Sequence, residues 1–314
     1  MPDLTLVKGQ PTAVARMVED YLAHCRAAGL SPKTIKHGYG YPLRAVFVPW
    51  CLDNDIEKPE QLTSRVLDRF VSDLLEHGGK RGPLSKHTAW SYAKAAKGLV
   101  AWAKKEGADI EGQVQLPRLP KRLVDTLTRD EIQRLEDAAS TERDALIVRI
   151  LADTGIRVGE LVQLRARDLS EQERNLFIKV RGKGDRERLV PVTSALFRRL
   201  TRYATKQRPE DTASDRLFLS RRRSRTSTDY AALTESGVQQ LIRDLGEKAG
   251  VKKRVHPHVF RHSAATHMLR RGMNPLLVAQ VLGHTSLAMI QNVYAHLTPT
   301  DAHLALMAAL REDP

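Results

Sequence analysis

Along the first hundred residues, apolar and aromatic positions recur at helical spacing with almost no strict alternation, so the pattern predicts a helical N-terminal region. A weak internal echo runs through it: LSPKTIKHGYGYPLRAVFVPWCL from Leu30 resembles LSKHTAWSYAKAAKGLVAWA from Leu84. Each copy sets a serine at a helix start, Ser31 with Pro32 in the first helical position and Ser85 alone, where a hydroxyl can accept an otherwise unpaired N–H. Trp50 and Trp102 are expected to close these helices, and Phe47, Trp50, Trp90 and Trp102 to face a core, because stripes at this spacing turn inward. Periodicity lapses between Gly107 and Asp125, where Pro117 and Pro120 stand among basic residues, and residues 109–124 read as a linker. A helix restarts at Thr128, which with Glu131 three residues on forms a capping-box pattern.

In the second region the period changes. Residues 175–180 (NLFIKV) and 187–192 (ERLVPV) are short β-type runs, and RGKGDR between them supplies Gly182 and Gly184 for a hairpin turn. Helices resume beyond it through Tyr294, apart from the basic stretch SRRRSRTSTDY (220–230), which reads as a surface loop. A short terminal helix over 301–310 carries Leu304, Met307 and Leu310 on one face. The fold class expected is mainly α with a small three-stranded antiparallel sheet. It comprises an N-terminal domain of four or five helices over 1–108, a linker over 109–124, and a second domain over 125–314.

Composition sharpens this picture in three ways. With 314 residues and 41% hydrophobic content the chain can bury a sizeable core, and its length suits two domains. A formal net charge of +14 makes a polyanion the natural partner, and nucleic acid leads over an anionic membrane surface. The aromatic stripe could stack on bases, although core packing has the greater weight. The N-terminus MPDLTLVKGQ has no basic start leading into an apolar run, and no twenty-residue apolar span follows. No membrane association and a cytoplasmic location are therefore expected. Only Cys25 and Cys51 are present, outside any CxxC pair, so a disulfide framework or cysteine-based zinc site is not expected.

Four segments carry candidate chemistry: TGIRVGELVQL around Arg157, VRGKGDRERLVPV around Lys183, HPHVFRHSAATHML around His258 and Arg261, and LGHTSLAMIQNVYAH around His284 and Tyr294. Taken singly, each has an ordinary reading: a helix-surface arginine, a turn lysine, an amphipathic tyrosine. Taken together they supply what phosphoryl transfer needs, namely a nucleophile, charge stabilisation and proton transfer. Two guanidiniums can grip the non-bridging oxygens with forked hydrogen bonds, which suits Arg157 and Arg261. A phenol attacking phosphorus loses a proton and the departing sugar oxygen gains one, and His258 and Lys183 are the candidates for those transfers. No P-loop is present, and no convergent Asp and Glu set of the two-metal kind. His256, His258, His262 and His267 lack Cys or carboxylate partners at ligand spacing. Neither a cofactor nor a metal is therefore expected, and His262 and His267 read as buried, hydrogen-bonded side chains.

In their order, TGxRxxEL, GKGxxxR, HxxRH, LGH and a tyrosine near the C-terminus resemble the tyrosine recombinase, or phage integrase, family. The likeness is greatest to the Xer-type members and covers nearly the whole chain. The resemblance implies that Arg157, Arg261 and His284 bind the scissile phosphate and that Tyr294 forms a 3′-phosphotyrosyl bond. It further implies that Lys183 protonates the leaving 5′ oxygen, that His258 assists proton transfer at the tyrosine, and that Glu160 braces the site. The N-terminal region would be a SAM-like core-binding domain that clamps double-stranded DNA together with the catalytic domain. The working assembly would be a homo- or hetero-tetramer on DNA, open to a paralogous recombinase and accessory DNA-bending proteins. The 301–310 helix would dock into a neighbouring protomer, with packing on its own domain as the alternative. One feature departs from the pattern: His284 to Tyr294 spans ten residues, where the family interval is about nine, and on a helix one residue turns a side chain by about 100°. Two rival readings are a type IB topoisomerase-like relaxing enzyme and a catalytically impaired DNA-binding relative whose shifted tyrosine misses the phosphate.

Overall fold

The computed structural model describes residues 6–7, 10–78, 83–119, 125–182, 187–210, 212, 214–223, 230–283 and 307. They belong to two compact units, Met1–Lys121 and Arg122–Pro314.

The first unit is helical apart from a short antiparallel pair, Leu6–Val7 with Gln10–Pro11. Its helices Ala13–Ala27, Ser64–Glu76 and Lys86–Lys105 enclose a further helical stretch running from Pro32–Thr34 to Val48–Asp53. Ser31 Oγ accepts the Thr34 N–H and Ser85 Oγ accepts the Thr88 N–H, both at 3.2 Å. The internal echo is therefore a repeated cap, each serine also sharing a 2.8 Å hydrogen bond with the threonine hydroxyl. Between Pro32 and Asp53 the helix widens to π turns over Ile35–Gly40 and Leu43–Phe47, where Tyr41 N–H reaches Lys36 O and Val48 N–H reaches Leu43 O. Pro42 and Pro49 cannot donate and crowd the preceding turn, and a wide turn accommodates both defects. Phe47 is fully buried edge-to-face on Phe70 at 5.0 Å, Trp50 donates to Asp73 at 2.8 Å, and Trp102 tilts against Tyr21. Trp90 is half-buried, with the Lys94 ammonium 5.1 Å from its ring centroid. Residues 109–119, expected as linker, are extended but packed: Ile110 and Val114 are buried in this core, and Gly112 N–H donates to Leu62 O at 3.1 Å.

In the second unit, Thr128 and Glu131 exchange cap bonds of 3.1 and 2.7 Å at the start of helix Arg129–Asp137. Helix Glu142–Thr154 is buried on nearly every side, from Ala145 to Thr154, and forms the middle of the core with helix Pro257–Arg270 against it. A helix apolar all round is stable only when enclosed, which is the position this one holds. Strands Leu169–Gln172, Asn175–Arg181 and Glu187–Pro191 form the expected antiparallel sheet in sequence order. The basic stretch 220–230 departs from expectation, since it begins and ends in an antiparallel strand pair, Leu219–Arg223 with Tyr230–Ala232. The strand's polarity masked it, because Arg221 answers to a buried carboxylate, Asp144, rather than to solvent alone. Of the 301–310 helix only Met307 falls among the described residues, and it is helical. No helix among the described residues is long and apolar enough to cross a membrane.

Candidate active site

The site grows from the end of helix Glu142–Thr154. Gly155 takes a left-handed φ of 61° and donates its N–H to Leu151 O at 3.1 Å, closing the helix. A Cβ at this position would come within 2.5 Å of Leu282 Cδ2 and 3.0 Å of Ala264 Cβ, so the Gly of TGIR is required by both backbone and contact. The reversed chain buries Ile156 and sets Arg157 at the entrance of the short helix Val158–Leu161, where the Glu160 carboxylate accepts the Arg157 backbone N–H at 2.8 Å.

Around that turn three guanidiniums gather, two of them on the Glu160 carboxylate and the third, Arg261, on backbone carbonyls beside it. Arg157 Nη1 donates to Glu160 Oε1 at 3.1 Å and its Nη2 to Gly283 O at 2.9 Å. Arg261, one turn into helix Pro257–Arg270 and 8% exposed, donates from Nη1 to Gly155 O at 2.8 Å and from Nη2 to Leu282 O at 2.7 Å. Arg188, on strand Glu187–Pro191, forks onto both Glu160 oxygens at 2.8 and 2.9 Å. Burial pushes the Arg261 guanidinium down, and repulsion from Arg157 and Arg188 adds to it against the attraction of Glu160, leaving its pKa at about 10. Burial also pushes the Glu160 carboxyl up. The Arg188 hydrogen bonds, the Arg157 backbone N–H and the charges of both arginines outweigh that, so it sits below the ordinary carboxylate value. Among the described residues three cations face one anion, which leaves the cluster in net demand of negative charge, and Arg157, 39% exposed, is the most open of the three.

Of the residues singled out from sequence, Arg157, Glu160 and Arg261 converge directly. His258 lies three positions before Arg261, in the first turn of the same helix, exposed, with its ring 6.3 Å from that of His256. Lys183, His284 and Tyr294 lie outside the described residues. His267 is half-buried with a ring nitrogen 3.0 Å from Leu127 O, the hydrogen-bonded role expected of it. No group of three His, Cys, Asp or Glu side chains among the described residues is placed to hold a metal ion. Arg188 escaped the sequence reading. Its signal was present as the final letter of GKGxxxR, but nothing in the hairpin's local pattern reveals a partner 28 positions back.

Residues 125–301 match the family model described as "Phage integrase family". The chain belongs to the phage integrase family. This recombinase is Xer-like, a tyrosine-type DNA strand transferase of site-specific recombination. It is 32% identical to a tyrosine recombinase of Pseudothermotoga lettingae, over 93% of this chain and 96% of that one. It is 30% identical to tyrosine recombinase XerA of Pyrococcus horikoshii, over 90% of this chain and 89% of the relative. Among solved structures, the XerH site-specific recombinase bound to palindromic difH substrate, a post-cleavage complex, aligns with a TM-score of 0.70 at 22% identity. It covers 98% of this chain and 86% of that one, a likeness of fold.

Proposed function

We propose that this recombinase cleaves and rejoins double-stranded DNA through a covalent 3′-phosphotyrosyl intermediate on Tyr294. The observation that carries the reading is the convergence of Arg157 and Arg261 on the Gly155 and Leu282–Gly283 backbone, each with N–H donors that no described residue takes up. A guanidinium has five such donors. Arg157 and Arg261, with His284, stabilise the charge on the non-bridging oxygens of the pentavalent transition state. Tyr294 Oη attacks phosphorus, its proton leaving with help from His258, and the bond to the 5′ oxygen breaks as Lys183 protonates that oxygen. The phosphotyrosyl ester conserves the phosphodiester's energy, so a 5′ hydroxyl from a second duplex reverses the step with neither nucleotide hydrolysis nor a cofactor. Glu160 braces Arg157.

Residues 1–108 act as the DNA-gripping core-binding domain and 125–314 as the catalytic domain. Exchange between two duplexes uses four active sites, hence a homo- or hetero-tetramer assembled on DNA in the cytoplasm. Within that tetramer the 301–310 helix docks on a neighbour.

Incubating the protein with host DNA, denaturing it, and sequencing whatever remains covalently attached tests the reading. Adducts enriched at one site and abolished by Tyr294→Phe are expected. An adduct that survives Tyr294→Phe moves the nucleophile elsewhere, and its absence from the wild type defeats the reading. Exchange between two copies of the recovered site, against relaxation of a supercoiled plasmid, separates recombinase from relaxing enzyme.

A further inference from the structure

The catalytic scheme leaves Arg188 without a task, yet its placement is the most constrained of the three guanidiniums. Its side chain is 15% exposed. Nη1 and Nη2 hold the two Glu160 oxygens at 2.8 and 2.9 Å, and Nε donates to Val281 O at 2.8 Å. Every nitrogen thus bonds the protein, whereas among the described residues Arg157 and Arg261 bond through their Nη atoms alone. A guanidinium held on all three nitrogens, with its flat fork spent on a carboxylate, is fixed more firmly than either of its neighbours. It is placed to hold those neighbours still.

Two contacts show through what it acts. Glu160, 4% exposed, receives the Arg188 fork on one side and the Arg157 backbone and side chain on the other, so the carboxylate is the joint between the two arginines. Arg188 and Arg157 also grip the same backbone turn. Arg188 takes Val281 O while Arg157 takes Gly283 O, and Gly283 lies so close to the Arg188 guanidinium that a Cβ there would sit 2.8 Å from Cζ. Gly283 has a φ of 66°, a conformation that glycine adopts without strain. Without the fork, a buried carboxylate would keep only Arg157 as partner. It would draw that guanidinium inward or take up a proton, and either change moves the donors.

We infer that Arg188 is a positioning residue of the recombination reaction: by clamping Glu160 and the 281–283 turn it fixes the Arg157 guanidinium in the attitude that meets the scissile phosphate. The inference rests on the reading of Arg157 as a phosphate ligand.

The test is single-turnover adduct formation at saturating protein, on a nicked duplex carrying the site recovered from the wild-type adduct. Wild type, Arg188→Met and Arg188→Lys are each given a phosphodiester and, separately, a methylphosphonate at the scissile position. On the phosphodiester Arg188→Met is expected to be slower by ~100-fold, because a displaced guanidinium no longer meets the phosphate oxygens. Arg188→Lys, which keeps the charge but cannot span both carboxylate oxygens and a carbonyl, should be slower by ~10-fold. The methylphosphonate lacks one anionic oxygen, so charge stabilisation matters less, and both deficits should shrink to below ~5-fold. A merely structural loss would slow both substrates alike.

Equal deficits on the two substrates, or rates like wild type, each overturn the inference. If Arg188→Met shows no cooperative thermal transition, Arg188→Lys carries the comparison by the same criteria. A wild type inactive on the phosphodiester overturns the recombinase reading, and this inference with it. An active wild type with equal deficits in the variants overturns this inference alone.

Discussion

Arg261 and Gly155 stand 106 positions apart in the chain, and Arg261 Nη1 donates to the Gly155 carbonyl at 2.8 Å. A carbonyl past the end of helix Glu142–Thr154 has no partner within that helix, and the arginine supplies it from a second buried helix. The same hydrogen bond therefore seals the core and locates a candidate phosphate ligand. Packing and chemistry share atoms here, and substitutions at this junction disturb both.

Replacing Arg261 with lysine keeps a charge but loses the span between Gly155 O and Leu282 O. One buried carbonyl is left unpaired, at a cost of about 1–3 kcal/mol in stability. Adduct formation should fall ~100-fold through misplacement of the donors. Urea unfolding and suicide-substrate cleavage read the two effects separately, and cleavage like wild type would show that the fork is dispensable.

Gly155→Ala places a Cβ in a left-handed conformation and against Leu282 and Ala264. The expected loss is about 1–3 kcal/mol, read from the urea midpoint. A midpoint unchanged from wild type would mean that the turn adapts without strain.

Asp168 is 1% exposed, accepts the Arg165 N–H at 2.9 Å and is forked by Arg181 at 2.9 and 3.0 Å, tying the central strand Asn175–Arg181 to the turn before the sheet. Asp168→Ala removes the buried acceptor of the Arg165 N–H, while Arg181, 20% exposed, keeps Glu187 as partner, so the expected cost is about 1–3 kcal/mol. On the role proposed for Lys183, two positions after Arg181, cleavage should fall along with stability. A loss in the urea midpoint below ~1 kcal/mol would show the pair to be effectively solvated.

His267 titrates below its ordinary value of 6.5. Burial is the leading cause, the bond to Leu127 opposes it, and Arg129, Arg270 and Arg271 add repulsion. A base whose folded pKa lies below its unfolded value takes up protons more readily when unfolded, so its contribution is complete above 6.5 and is lost as pH falls below it. Unfolding free energy should decline with acidification through that window, and His267→Gln should flatten the slope. An unchanged slope in the variant would assign it to other groups.

The lesson for reading such a chain lies in which interactions are local. Ser31, Ser85 and Thr128 were legible as helix starts because a cap is an i to i+3 hydrogen bond between neighbours in sequence. The antiparallel strands Asn175–Arg181 and Glu187–Pro191 were legible by the change of period, and the order of Arg157, Lys183, His258, Arg261, His284 and Tyr294 carried the family. The strand Leu219–Arg223 was not legible, since three consecutive arginines read as a solvated loop until Asp144 is known to lie beneath Arg221. Nor was the packing of Ile110 and Val114, whose prolines and charges announced a linker.

By itself, then, the amino-acid order determined the helix caps, the sheet and the family, because caps and strands follow from near-neighbour geometry and the family from the order of its motifs. Only the tertiary structure decided that Arg157 and Arg188 share the Glu160 carboxylate and that both, with Arg261, bond the 281–283 backbone. A guanidinium can satisfy any acceptor within reach, and what comes within reach is set by the packing of segments that lie dozens of residues apart.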